Sequence, residues 1–233
     1  MSGAVILVLN CGSSSIKFAA FDAATVPRAR EPLWNGKVQG IGGPAPDFGE
    51  TGVAPFPVVL DAQHPYRDAL RLIRERVLAR LAGRSIAVVA HRVVHGGTRY
   101  FQPVRVDPQV LADLQGYIPL APLHQPFAVE AIDILLRQLP DLPQVACFDT
   151  GFHHTIPEVE KILPLPYDAW QRGLRRYGFH GLSYAYMALA LAERHGGAAR
   201  GRTIVAHLGS GASLCAMQGL ESVATTMGFS ALD

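Results

Sequence analysis

Ala4-Val5-Ile6-Leu7-Val8-Leu9-Asn10-Cys11-Gly12-Ser13-Ser14-Ser15-Ile16-Lys17-Phe18-Ala19-Ala20-Phe21 opens the chain almost at once. Ala4–Leu9 and Ile16–Phe21 are short apolar runs, and between them lies a cluster of turn formers. This pattern predicts a β-hairpin whose tight turn is lined with hydroxyls. Gly12 permits a positive φ there, and exposed N–H groups with the hydroxyls of Ser13, Ser14 and Ser15 can cradle an anion. Lys17 adds a cation at the start of the second strand, and the neutral oxygen of Asn10 suits a metal or its water shell. The G-x-x-x-x-G-K-[ST] spacing is absent and a strand follows, so this is not a Walker A loop. An ordinary serine-rich turn would have the same local sequence.

The same arrangement recurs near the other end. Thr203–Leu208 reads as a strand, Gly209-Ser210-Gly211 as a turn, and Ala212–Met217 as a second strand, with another at Ser222–Thr226. Between the two hairpins, Leu33–Ile41 supplies a further strand. Gly42 to Pro57, dense in glycine and proline, reads as a loop or irregular edge segment. Pro65–Leu81 is a helix with Leu70, Ile73, Val77, Leu78 and Leu81 on one face, started by Pro65 and ended by Gly83. Ile86–Ala90 is a buried strand, Asp107–Leu114 and Phe127–Leu139 are helices, and Val145–Phe148 is a short strand that delivers Asp149. A proline-rich connector at Ile156–Pro166 precedes a helix at Leu182–Glu193. This mixture indicates an α/β domain and the start of a second.

Composition excludes several classes. The chain has 233 residues, 49% hydrophobic and 17% charged, with net charge +2, so disorder is not expected. Its lysines are Lys17, Lys37 and Lys161 alone, and its arginines are scattered, so no basic stripe invites nucleic acid. The longest apolar stretches, Ala4–Leu9 and Tyr184–Ala192, fall far below the roughly 18 residues of a membrane span. Cys11, Cys147 and Cys215 are odd in number and never paired as C-x-x-C. That usage fits a reducing cytoplasm and no structural zinc.

Other polar residues sit beside turn signals. His91-Arg92-Val93-Val94-His95-Gly96-Gly97 lacks the glutamate and the helix of a zincin. Arg92 at a strand end suits bidentate recognition of a carboxylate or phosphate, though a surface arginine beside core histidines reads equally well. His124, Asp149, His180 and His207 each occupy a turn or a strand end. Gly209-Ser210-Gly211-Ala212-Ser213 is not a G-x-S-x-G elbow.

Taken together, these stretches resemble the acetate kinase family, within the sugar kinase, heat-shock chaperone and actin superfamily. The resemblance rests on residues 9–17 and 90–97, with support from Ala121-Pro122-Leu123-His124, Phe148-Asp149-Thr150, Tyr177-Gly178-Phe179-His180-Gly181, residues 207–213 and Thr226-Met227-Gly228-Phe229. It implies reversible phosphoryl transfer from ATP to acetate, giving acetyl phosphate and ADP, with Mg²⁺ (or Mn²⁺). Residue by residue, it implies that Asn10 helps hold the metal. Ser13, Ser14, Lys17 and the loop His207, Leu208, Gly209, Ser210 and Gly211 contact the nucleotide's phosphates. Arg92 binds the substrate carboxylate, while Val94, Leu123 and Phe179 wall its apolar end. His180 and His124 act on the transferring group, and Asp149 is the family's acid/base residue. A carboxylate nucleophile is already ionised at neutral pH, so Asp149 is expected chiefly to organise Mg²⁺ and its waters.

Ser210 stands where the family often has Asn, Gln125 follows His124 where Asn is usual, and Ala231 replaces a common proline in the pocket wall. The smaller Ala231 makes propionate an expected second substrate. The implied fold is ribonuclease-H-like, actin-like α/β, with residues 1–150 as the first domain and 151–233 as the first part of a nucleotide-binding, dimerising second. Family members continue past this point into a Gly-x-x-x-Gly-Thr-Arg segment. The resemblance therefore implies a homodimer for the full-length protein and little turnover by these residues alone. A non-catalytic anion-binding or dimerising product and a butyrate kinase relative are the competing readings.

Overall fold

The computed structural model describes residues 3–26, 29–81 and 83–232. The opening stretch forms β1 (Ala4–Cys11) and β2 (Ser15–Asp22), paired antiparallel, with the Gly12 N–H donating to Ser15 O at 2.8 Å across the turn. Gly12 is not among the residues with positive φ, and a Cβ there would meet Ser15 O at an ordinary 3.6 Å. The turn therefore does not need the conformational freedom that a glycine offers.

β3 (Trp34–Gln39), β4 (Asp47–Glu50) and β5 (Val53–Pro57) extend the sheet from β2, each antiparallel to the last. Of the two readings of 42–57, a loop or an irregular edge segment, the last two strands correct the first and agree with the second. Proline is tolerated in β5 because that strand is the sheet's outer edge, where a missing N–H breaks no ladder. Helix α1 (Pro65–Arg80) follows, then β6 (Ser85–Val93), which pairs parallel with β1. The short β7 (Val104–Arg105), helices α2 (Pro108–Gly116) and α3 (Gln125–Gln138), and β8 (Gln144–Phe148) complete this part. The sheet order is β5-β4-β3-β2-β1-β6-β8-β7.

Two compact units result. One comprises Met1–Arg92, Arg105–Gln115 and Leu123–Ala146; the other comprises Val93–Val104, Gly116–Pro122 and Cys147–Asp233. In the first, alternation along β1 and β2 sends Val5, Leu7, Leu9, Ile16, Phe18 and Ala20 to one face of the sheet. Ile73 and Val77 of α1 and Ala131 and Leu135 of α3 close over them as a continuous core. Leu78, expected on that apolar face, is half-exposed instead, because the buried stripe of α1 is narrower and ends on Val77 and Leu81.

The second unit contains the short helices α4 (Glu158–Lys161) and α5 (Asp168–Gln171), then α6 (Gly181–His195). β9 (Arg202–Leu208), β10 (Ala212–Gln218) and β11 (Glu221–Thr225) form a separate antiparallel sheet. Tyr184 and Ala188 of α6 pack on Cys215 and Met217 of β10. Cys11, Cys147 and Cys215 are all free thiols. No helix among the described residues is long and apolar enough to cross a membrane.

Candidate functional site

In the first unit, strand register lines up polar side chains on the sheet face opposite the core. Asn10 of β1 pairs with Lys17 of β2, Lys17 with Lys37 of β3, and Lys37 with Gly49 of β4. Side chains directly opposite one another have Cβ atoms about 4.5–5.5 Å apart and share a face. Arg92 of β6 joins the row, its Nη1 donating to Asn10 Oδ1 at 3.1 Å. Asn10 and Lys17 of one hairpin thus meet Arg92, some way further along the chain, on one surface. Lys37 belongs with them and was missed; its only signal in the sequence was that it is one of so few lysines.

Opposed like charges are unfavourable in a strand pair unless an anion lies between them. A cavity of about 450 Å³ opens over Lys17, Lys37 and Gly49, bounded further by Asn35, Thr51, Pro55 and Glu50, whose carboxylate pairs with Arg80.

On the core side of β6, His91 is buried and its Nε2 shares a 2.7 Å hydrogen bond with Gln144 Oε1. Burial holds its pKa down at about 4, so the ring is neutral at pH 7. It is a core histidine. His124 caps the start of α3 without a side-chain capping bond, and Leu123 is 61% exposed.

In the second unit, β8 brings Asp149 to a buried position at its end. The Asp149 N–H donates to Val93 O at 3.0 Å, and its carbonyl accepts the Gly181 N–H at 2.7 Å. A Cβ on Gly181 would overlap that carbonyl, so glycine is what lets α6 begin against Asp149. The residue before it, His180, caps α6 in the left-handed region at φ 58°, ψ 18°. Such a conformation costs a non-glycine residue about 1–3 kcal/mol and persists only where the surroundings fix it.

The surroundings here do so. His180 Nδ1 bonds Ser213 Oγ at 2.8 Å, and Ser213 Oγ is shared with Tyr184 OH at 2.5 Å. The His180 ring stacks on His207 with centroids 4.2 Å apart, and His207 Nδ1 bonds Ser183 Oγ at 3.0 Å. Gly211 comes so close that a Cβ would lie 3.1 Å from His180 Nε2. His180 and the His207–Gly211 loop are therefore one assembly. Ser183 and Tyr184, which help to hold it, carry no sequence signal of their own, whereas Ser213 closes the 207–213 stretch.

Beneath His180, His153 is buried between Ser222 Oγ at 2.8 Å and the Phe179 carbonyl at 2.9 Å. Desolvation outweighs the Phe179 hydrogen bond and holds its pKa at about 4. Val94, Ala121, Tyr177, Phe179 and Met227 form an apolar cluster, with Phe229 and Ala231 packed against it. Val94 and Phe179 of the expected substrate wall are thus together, along with Ala231. His95 presents its edge to Tyr177 and Phe179, with centroids 4.3 and 5.8 Å away.

Among the described residues no cluster of three or more His, Cys, Asp or Glu side chains is arranged to hold a metal ion. Magnesium does not demand such a cage. It commonly keeps most of its waters and is carried on substrate phosphates with one or two protein ligands.

Comparison with known proteins shows the family and the fold. The pattern of the Acetokinase family matches residues 5–233. A propionate kinase from Francisella tularensis superposes with a TM-score of 0.87 at 33% identity, over 99% of this chain and 59% of that one. Porphyromonas gingivalis acetate kinase superposes at 0.82 and 32% identity, over 99% and 59%. By sequence, an acetate kinase of Rhodopseudomonas palustris is 46% identical over 98% of this chain and 58% of its own length. One of Clostridium botulinum is 37% identical over 97% and 58%. The fold is that of the actin-like α/β kinases. The chain belongs to the Acetokinase family and spans about three fifths of the length of the curated relatives it matches.

Proposed function

We propose that this chain serves reversible phosphoryl transfer between ATP and acetate, giving acetyl phosphate and ADP. The observation that carries the reading is the register row Arg92–Asn10–Lys17, which gathers on one surface the residues that resemblance assigns to carboxylate, metal and phosphate. In this reading the Arg92 fork takes the acetate carboxylate, already oriented by its bond to Asn10. Val94 and Phe179 take the methyl end. Lys17, Ser13 and Ser14 bind phosphate oxygens of the nucleotide, and residues 207–211 form a second phosphate-contacting loop. His180, with Nδ1 fixed by Ser213, directs Nε2 at the phosphoryl group in transfer. His124 assists there.

Mg²⁺ bound to ATP neutralises charge on the phosphates. Asp149 and Asn10 are the residues proposed to orient it and its waters. Asp149 needs no base strength, because acetate arrives ionised. Catalysis is then mostly positioning and charge stabilisation. The cytoplasm and a homodimer belong to the same proposal.

Propionate is proposed as a second substrate, because Ala231 leaves the Val94–Phe179 cluster with a small side chain at its margin. One methylene is worth about 1–3 kcal/mol in such a pocket. The test is acyl phosphate formation from ATP, Mg²⁺ and either acid, trapped with hydroxylamine. Acetate-dependent product with propionate within a thousandfold supports both parts. Product with acetate and a larger gap would restrict the substrate, and no product above the protein-free rate would favour a non-catalytic anion-binding role.

A further inference from the structure

The second unit holds another cavity, of about 340 Å³, outside the residues assigned to the reaction. Lys161, Arg175, Arg176 and His154 line it together with Thr98 and Thr150, and among the described residues no carboxylate does. The side chains of Lys161, Arg175 and Arg176 are held by backbone carbonyls. Lys161 Nζ donates to His154 O at 2.7 Å and Arg175 Nη2 to Trp170 O at 2.9 Å. Arg176 donates from Nε to Glu160 O and from Nη1 to Met227 O, both at 3.2 Å.

Elsewhere in the chain, arginines such as Arg71, Arg80, Arg84 and Arg137 pair with acids. Among the described residues Lys161, Arg175 and Arg176 enter no ion pair.

A solvated basic face would look different. Arg175 Nε is buried and has no hydrogen-bond partner, and its guanidinium lies 3.6 Å above the Trp170 ring. A guanidinium fixed by stacking and a carbonyl loses little further freedom on meeting an oxyanion. Burial, and then the nearby Arg175 charge, pull the Lys161 pKa below the usual lysine range, and Glu158 offsets this only in part. Crowded, partly desolvated cations of this kind are relieved by a bound anion. Two threonine hydroxyls add neutral donors suited to an oxyanion with several acceptor oxygens.

We propose that this cavity is a binding site for a phosphate group, free or esterified to a small molecule, separate from the residues that serve the kinase reaction. It does not rest on the kinase reading and can stand if that reading fails.

Trp170 provides a local probe, because the chain has one other tryptophan, Trp34 of β3 in the first unit. The Trp34→Phe chain is titrated with inorganic phosphate at pH 8 and constant ionic strength, reading Trp170 fluorescence against a sodium chloride control. A saturable change is expected, weakened at least tenfold by Lys161→Gln and by Arg176→Gln and unaltered by Lys17→Gln. Glycerol phosphate in place of phosphate tells the two sources apart: the tighter ligand identifies the esterified or the free form. If Trp34→Phe does not fold, the Trp170 indole N–H resonance of the unsubstituted chain reports the same titration. A response that never saturates, or equals that of chloride, overturns the site. So does one lost in Lys17→Gln but kept in Lys161→Gln. Succinate binding as tightly as phosphate would overturn the assignment of a phosphate group.

Discussion

The β1–β2 and β9–β10 hairpins share a sequence pattern, strand–glycine–serine–strand, yet position their functional groups by different means. In the first, the backbone is relaxed: Gly12 has no positive φ, and a Cβ there would make only ordinary contact with Ser15. The candidate site there depends on register, which sets Asn10, Lys17 and Lys37 side by side and brings Arg92 to Asn10. In the second, position depends on close packing. Gly211 presses on His180, which is held left-handed by Ser213 and the His207 stack. A register-built site tolerates local backbone change and is sensitive to charge. A packing-built site is the reverse.

Substitutions and pH can break that contrast. The largest effect is expected at Gly178, where φ is +71° and a Cβ would lie 2.7 Å from both His153 and Thr225. Gly178→Ala should cost about 3 kcal/mol, from overpacking together with strain, read as a lower denaturant midpoint.

Next is acid sensitivity. His91 in the first unit and His95 and His153 in the second have folded pKa values of about 4, each chiefly through desolvation, against 6.5 ordinarily. Between those values the unfolded chain binds more protons, so stability present above pH 6.5 is lost as pH falls towards 4. The loss should be on the order of a few kcal/mol over that window, followed by denaturation at several pH values. Constant stability from pH 7 to 4.5 would contradict the neutral buried rings.

Lys37→Gln should weaken binding of tripolyphosphate about fivefold at low salt, with the difference shrinking as ionic strength rises. An unchanged affinity would remove Lys37 from the row. The smallest effect is expected for Gly12→Ala, within about 0.5 kcal/mol of the parent in stability. A larger loss would mean that the two turns are alike after all.

Much of this was legible in the sequence because local chemistry agreed with the fold. Apolar runs bounded by glycine gave both hairpins, and the stripe Leu70, Ile73, Val77 and Leu81 gave α1. What escaped depended on partners distant in the chain. β4 and β5 are short and proline-bearing, and only their place at the sheet edge makes them strands. Lys37 gains its meaning from lying opposite Lys17, a register that no local pattern encodes. Nothing near His180 announces a left-handed backbone, because the hydroxyl that fixes its ring, Ser213, comes 33 residues later. Leu78 lies on a helix face whose pattern predicts burial, and it is half-exposed.

The most direct measurement concerns Arg92. Acyl phosphate formation from acetate, ATP and Mg²⁺ would be measured with this chain alone and with the part of the Rhodopseudomonas palustris acetate kinase that it does not cover. Acetate-dependent hydroxamate should appear and fall by about 10²–10³-fold in Arg92→Ala, the cost of removing one partner of a charged recognition pair. Tripolyphosphate binding at the Lys17–Lys37 row should persist in that variant. Hydroxamate formation that survives Arg92→Ala undiminished, or none in either preparation, would contradict the assignment of this row to acetate phosphorylation.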